Sequence, residues 1–185
     1  WASSRISYFG MAYNTKLVPP DQVPKTYDDL LDPKWKGKIA WRINTSSGTP
    51  LFITTIRLSR GEDKAQEYFA KLVEQKVINF GSGSARTLVD RVIAGEIPIA
   101  LNIFAHHPLI SKAKGAPLDT QMLDPVPSAL STIQLAKNAP HPNAALLFID
   151  FVLAKEGQEV FRAAQYLSPN PQVDIDPSLR KIVPR

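Results

Sequence analysis

Two short runs of hydroxyl and glycine residues stand out, Asn44-Thr45-Ser46-Ser47-Gly48-Thr49-Pro50 and Gly81-Ser82-Gly83-Ser84. Each lies between a strand-like segment and a helix-like one. The start of a helix presents unpaired backbone N–H groups and the positive end of the helix dipole. Small residues let a ligand approach that backbone, and hydroxyls add donors, so such a turn suits an anion or an oxygen-rich solute. Two such turns in one sheet would both open at strand carboxyl ends, where open α/β sheets bind ligands. Arg86, just inside the second helix-like segment, offers a charge-assisted fork. The competing reading is a pair of ordinary capped turns, which use the same residue types.

Other chemistry is harder to find. The glycine turns lack the lysine spacing of a nucleotide-binding loop and are not a dinucleotide fingerprint. There is no Gly-x-Ser-x-Gly elbow. The carboxylates nearest the turns are Asp90 and Glu96, and Glu96 after Gly95 reads as closing a helix-to-strand turn. No acid/base or nucleophile–base pair is visible, so the expectation is a protein that is not an enzyme and takes no cofactor. His106 and His107 are neighbours; on a strand they would face opposite ways, and His106 is the candidate for a ligand contact or a metal. His141 reads as a helix cap.

The 185 residues carry 22 basic and 17 acidic side chains, a net charge of +5, and 44% are hydrophobic, enough for a packed core. The basic residues are scattered, with Lys34, Lys36 and Lys38 the densest group and Lys112 and Lys114 the next. No long basic run interleaved with aromatics occurs, which argues against nucleic acid. A mildly basic surface favours an anionic ligand over a cationic one. With no cysteine, disulfide scaffolds, thiol catalysis and thiolate metal sites are excluded. No apolar run has the length of a membrane span, and Trp1-Ala-Ser-Ser-Arg does not read as a signal peptide.

The elements that must position these residues follow from periodicity. Arg5 to Tyr13 is rich in strand formers, and Ile39, Trp41 and Ile43 alternate with polar or small residues as in a pleated strand. Thr26, with Asp29 three residues on, caps a short helix that Asp32-Pro33 ends. Thr49 and Pro50 read as the cap and first position of a helix. Residues 62–75 read as a helix with Ala65, Phe69, Leu72 and Val73 on one face. Val77 to Phe80 is a short buried-strand candidate. Leu88, Val89, Val92 and Ile93 lie along a helix that Gly95 terminates, and Ile97 to Ile103 reads as a strand. Alternating strands and helices predict an α/β fold. Further on, Ser131 to Ala136 is a strand candidate. Pro142 opens a helix carrying Leu147, Phe148, Phe151 and Val152, ended or kinked at Gly157, and Val160, Phe161 and Ala164 extend a further helical face. The Pro-rich tail from Ser168 reads as a surface crossing.

Four ordered segments carry a family resemblance. Tyr13-Asn14-Thr15-Lys16-Leu17-Val18 is followed by Thr26-Tyr27-Asp28-Asp29-Leu30-Leu31-Asp32-Pro33-Lys34-Trp35-Lys36-Gly37-Lys38-Ile39. Then come Val92-Ile93-Ala94-Gly95-Glu96-Ile97-Pro98 and Ala139-Pro140-His141-Pro142-Asn143-Ala144-Ala145 with Gly157-Gln158-Glu159. In this order they resemble the periplasmic solute-binding proteins of ABC transporters of the ferric-ion-binding type.

The resemblance implies a two-lobed Venus-flytrap fold that holds a solute in an interlobe cleft and delivers it to a membrane permease, acting as a monomer in the periplasm. Residues 1–16 would be a crossing strand and 17–125 the second lobe. Residues 126–185 would be the return crossing and the C-terminal helices of a first lobe only partly present, with the leader peptide lost along with a missing N-terminal part. The family's anion-holding turn falls on Ser47, Gly48 and Thr49. Its iron-binding members carry two adjacent tyrosines where ungapped counting puts Ala105 and His106. Alanine has no donor atom and phenolates suit ferric iron, so the expected solute is a small anionic or polar molecule. The expected contacts are Thr45, Ser46, Ser47, Gly48 and Thr49, with Ser82, Ser84 and Arg86 opposite, Asn102 and His106 on the rim, and Tyr8 over the ligand. Two alternatives stay open: a ferric or other metal carrier with substituted ligands, and the ligand-sensing effector domain of a regulator.

Overall fold

A computed structural model describes residues 1–42, 48–81 and 84–184. By contact density the chain divides into two units, one of residues 8–127 and one of residues 1–7 with 128–183.

The larger unit is built on a mixed sheet. Strand β1 (Ala2–Asn14) begins in the other unit and ends here. It is followed by β2 (Ile39–Trp41), β3 (Ile78–Asn79), β4 (Ile99–Phe104) and β5 (Leu118–Gln121), arranged in the order β3-β2-β4-β1-β5. β2 runs parallel to both β3 and β4, while β1 runs antiparallel to β4 and β5. Helices α1 (Gly48–Arg60), α2 (Glu62–Glu74), α3 (Ala85–Ala94) and α4 (His106–Ala113) complete the unit. Alternate residues feed the two faces of the sheet, as a pleat requires. Met11, Ile39, Ile99 and Leu101 pack with Phe52 and Ile56 of α1 and Tyr68 and Leu72 of α2. Ala12, Ala40 and Ala100 pack with Leu88, Val89 and Val92 of α3. Small sheet residues bring α3 close; large ones meet the aromatic side.

One irregularity breaks this alternation. Gly10 pairs with Ile103 and Ala12 with Ala100, so Met11 faces both Leu101 and Asn102. Asn102 takes φ +58°, the left-handed conformation that asparagine tolerates better than most residues. This bulge flips the pleat, and Ile103 joins Ala100's side of the sheet instead of Leu101's.

Several sequence expectations shift by local physics. The capped segment at Thr26 is a 3-10 helix, Asp28–Leu31. Thr26 Oγ1 accepts from the Asp29 N–H, and the Asp29 carboxylate accepts from the N–H groups of Thr26 and Lys25. Helix α1 begins two residues before the expected Pro50 start, which makes Pro50 its third residue, where no helical N–H bond is lost. In α2 the covered stripe is Ala65, Tyr68 and Leu72, while Val73 is exposed, because Tyr68 turns in and its hydroxyl donates to the Tyr27 carbonyl at 3.0 Å. β3 lies at the sheet edge with both residues exposed rather than buried. The short helix α4 and strand β5 were not expected, since too few residues in either form a periodic pattern.

In the smaller unit, the start of β1 pairs with β6 (Ser128–Ile133), and Ser4 Oγ donates to the Ser131 carbonyl at 3.0 Å. α5 (Pro142–Leu153) and α6 (Lys155–Ala163) are separated at Ala154, three residues before the expected break at Gly157. Gly157 instead serves close packing: a Cβ there would stand 2.0 Å from the Phe151 carbonyl oxygen. Buried Gln158 ties the unit together, donating to the carbonyls of Ser4 at 3.0 Å and Val152 at 2.7 Å. The tail does more than cross the surface, since a 3-10 helix at Pro177–Ile182 buries Leu179 and Ile182.

Candidate functional site

Within the larger unit, the three parallel strands β3, β2 and β4 send their carboxyl ends to one edge of the sheet. That edge collects the residues singled out from the sequence. α3 starts after β3 with Ser84 as its N-cap, its hydroxyl oxygen accepting from the Thr87 N–H at 3.0 Å. α1 starts after β2 with Gly48 and Thr49. Asn102 lies in β4, and His106 opens the helix that follows it. Tyr8 reaches the same edge on antiparallel β1, where its carbonyl accepts from the Ala105 N–H at 2.9 Å. Thr45, Ser46, Ser47 and Ser82 lie outside the described residues.

The start of α1 is held tightly. The Thr49 hydroxyl donates to the Arg42 carbonyl, tying the first turn of the helix back to the end of β2. Gly48 lies against the bulge: a Cβ would come within 2.7 Å of the Asn102 carbonyl oxygen and 3.3 Å of Phe9. Glycine is therefore required by backbone proximity.

Unsatisfied polar atoms collect at the same edge. Asn102 Nδ2 is buried with no hydrogen-bond partner among the described residues, as are His107 Nδ1 and Arg42 Nε. Buried donors left alone are costly, which marks these as atoms with bonding capacity to offer a ligand. Arg42, at the end of β2, is the residue that sequence reasoning missed. Burial pulls its guanidinium below the ordinary arginine value. It forms no ion pair among the described residues, and residues 43–47 contain no acid to supply one. One arginine at a strand end carries no local signal, because its burial depends on neighbours distant in the chain.

Arg86 is differently placed from its expected open fork. Its guanidinium pairs with Asp90 at 2.6 Å and donates to the Ser111 hydroxyl of α4 at 2.7 Å. His106 and His107 lie in the first turn of α4 and not on a strand, so they do not point to opposite faces. Their ring centroids are 4.6 Å apart, and Phe104 stacks within 5.8 Å of each. His106 is buried. Among the described residues no three His, Cys, Asp or Glu side chains gather as a metal site.

Burial, then the nearby Arg86 charge, lowers the His107 pKa below 6.5. The unfolded chain therefore binds this proton more readily than the folded one, and stability falls as pH drops through the unfolded-state value toward the folded one. Denaturant midpoints are expected to fall as the pH drops through the ordinary histidine value of about 6.5 and below, and His107→Gln should flatten that slope. An identical slope in the variant would remove His107 as the cause.

The fold agrees with comparison to known proteins. Residues 1–183 match the family model described as bacterial extracellular solute-binding protein, and the chain belongs to that family. It is 29% identical to an uncharacterized protein of Haemophilus influenzae over 163 residues, covering 86% of this chain and 46% of that relative. It is 25% identical to the Fe(3+)-binding periplasmic protein of Serratia marcescens, covering 81% of this chain and 45% of the relative. Among solved structures, the periplasmic binding protein AfuA of Actinobacillus pleuropneumoniae, described with exogenous fructose-6-phosphate bound, superposes with a TM-score of 0.80. That match has 27% identity and covers 96% of this chain and 57% of AfuA. The chain thus spans about half the length of the curated relatives it matches. The family is one of binding proteins rather than enzymes, in keeping with the absence of an acid/base pair from the sequence.

Proposed function

We propose that the chain is part of the periplasmic solute-binding component of an ABC importer, and that its solute is a small anion or polar molecule passed to a membrane permease. The observation that carries this reading is the sheet edge where the start of α1, the bulge at Asn102 and the acid-free Arg42 guanidinium occur together. Backbone N–H groups at the start of α1 and the hydroxyls of Thr45, Ser46 and Ser47 supply donors to ligand oxygens, and Arg42 supplies charge. Ser82 and Ser84 add hydroxyls, Arg86 reaches the solute by exchanging its Ser111 contact, and Tyr8, Asn102 and His106 border it. The likeness to AfuA, with its bound sugar phosphate, favours an anion of that kind.

Calorimetry with fructose-6-phosphate, inorganic phosphate and ferric citrate tests the reading. One of the phosphates should bind, and Ser47→Ala combined with Thr49→Ala should weaken it severalfold or more. Unchanged affinity in that double variant would sink the site. A ferric carrier with substituted ligands is the second reading, favoured by the iron-binding Serratia relative. It predicts tight ferric binding; a tyrosinate absorbance band on iron addition would overturn the argument from Ala105 and His106.

A further inference from the structure

The sheet edge opposite the candidate site is made of turns. β2, β3, β4 and β5 begin there and β1 ends there, which gathers residues 15–17, 36–38, 76–77, 95–98 and 114–117. Backbone bonds join these segments. The Gly37 N–H donates to the Gln75 carbonyl at 2.8 Å and the Ile99 N–H to that of Lys38 at 3.3 Å. The Asn14 N–H donates to the Pro98 carbonyl at 2.9 Å and the Thr15 N–H to that of Pro117 at 3.0 Å. Lys36 and Lys38, part of the densest basic group in the sequence, thereby come beside Lys76, and Lys16 and Lys114 stand further along the same edge. Strand spacing places the whole row within about 20 Å.

All five lysines are exposed, and none forms an ion pair among the described residues. Nearby acids do not offset them. Glu96 pairs with Arg91 at 2.5 Å and Asp119 of β5 with Lys112 at 2.5 Å, which leaves Glu74 at the end of α2. Helix-end chemistry accounts for only part of the row. α2, α3 and α4 end at this edge, and Lys71, Arg91 and Lys112 in their last turns already answer the negative dipole ends. Lys16, Lys36 and Lys38 lie outside every α-helix.

We propose that this edge docks on the surface of an anionic phospholipid bilayer. Lysine ammonium groups are mobile point charges suited to a diffuse layer of phosphates. Protein interfaces instead favour arginine and aromatic anchors and are depleted in lysine. These turns hold no arginine and no aromatic residue. Leu17, 48% exposed beside Lys16, adds an apolar contact at headgroup level. The proposed anion seat is at the other edge of the sheet, so solute and lipid phosphates draw on different charges. The inference is independent of which solute is bound.

Sedimentation with vesicles tests it. The chain should pellet with vesicles of phosphatidylglycerol mixed into phosphatidylcholine and stay in solution with phosphatidylcholine alone. Raising sodium chloride from about 0.1 M to about 1 M should release it, because the screening length shrinks from about 10 Å to about 3 Å. Each lysine at an anionic surface multiplies partitioning by about fivefold, so Lys16→Gln, Lys36→Gln and Lys38→Gln together should weaken it about a hundredfold. The control carries the same charge change on exposed lysines elsewhere, Lys64→Gln at the start of α2 with Lys137→Gln and Lys155→Gln of the smaller unit, and should lose far less. Urea midpoints of both triples should match the parent, since exposed side chains alone are changed. Equal losses in the two triples would reduce the effect to net charge and overturn the proposal. So would an absence of binding to the anionic vesicles, or capture by polyglutamate without uptake on phosphatidylglycerol, which would assign the edge to an acidic protein.

Discussion

Gly48→Val is expected to abolish solute binding and to destabilise the larger unit by about 1–3 kcal/mol. The added Cβ would meet the Asn102 carbonyl oxygen at 2.7 Å, with Asn102 Cβ and the Phe9 ring both at 3.3 Å. None of these neighbours is the free end of a flexible chain, so the start of α1 has to move. In the proposed site that start is the anion seat, and a displacement of about 1 Å suffices to lose most of a site's pre-organised hydrogen bonding. Denaturant midpoints and calorimetry together check the result. A variant that loses stability yet keeps its affinity would show that the solute is held elsewhere.

Phe52→Ala should cost about 3–5 kcal/mol, a large share of the total stability of a typical domain. Phe52 lies one turn into α1, 1% exposed, with ring centroids 5.5 Å from Tyr27, 6.1 Å from Phe69 and 6.2 Å from Trp41. It links three separate stretches of chain, and none of those rings can close the cavity without leaving its own packing. Urea unfolding of the variant against the parent measures it; a loss below about 1 kcal/mol would mean that this aromatic cluster is looser than its geometry indicates.

The proposed site was half legible in the sequence. The two hydroxyl–glycine turns stand where strand periodicity gives way to helical periodicity, and each condition is local, so Gly48, Thr49 and Ser84 could be singled out one at a time. Arg42 could not. Its interest comes from partial burial at a strand end without an acid paired to it, and burial is a property of neighbours that only folding brings in. His106 and His107 fall beyond the strand expected to end at Ile103, and because the chain there turns into α4 the opposite facing that a strand would impose on neighbours does not arise.

What the sequence determined by itself was the α/β alternation, the presence of its longer helices and, through four ordered segments, the family. These follow from nearest-neighbour chemistry: period, capping and the φ preferences of glycine and proline. Tertiary structure alone decided three things. It set the left-handed bulge at Asn102, which moves Ile103 across the sheet and presses Gly48 against β4. It gathered the carboxyl ends of β3, β2 and β4 at one edge, since strand order depends on contacts between distant segments. And it brought Lys16, Lys36, Lys38, Lys76 and Lys114 to the opposite edge, because charges scattered along a sequence become one face only when the strands between them pair.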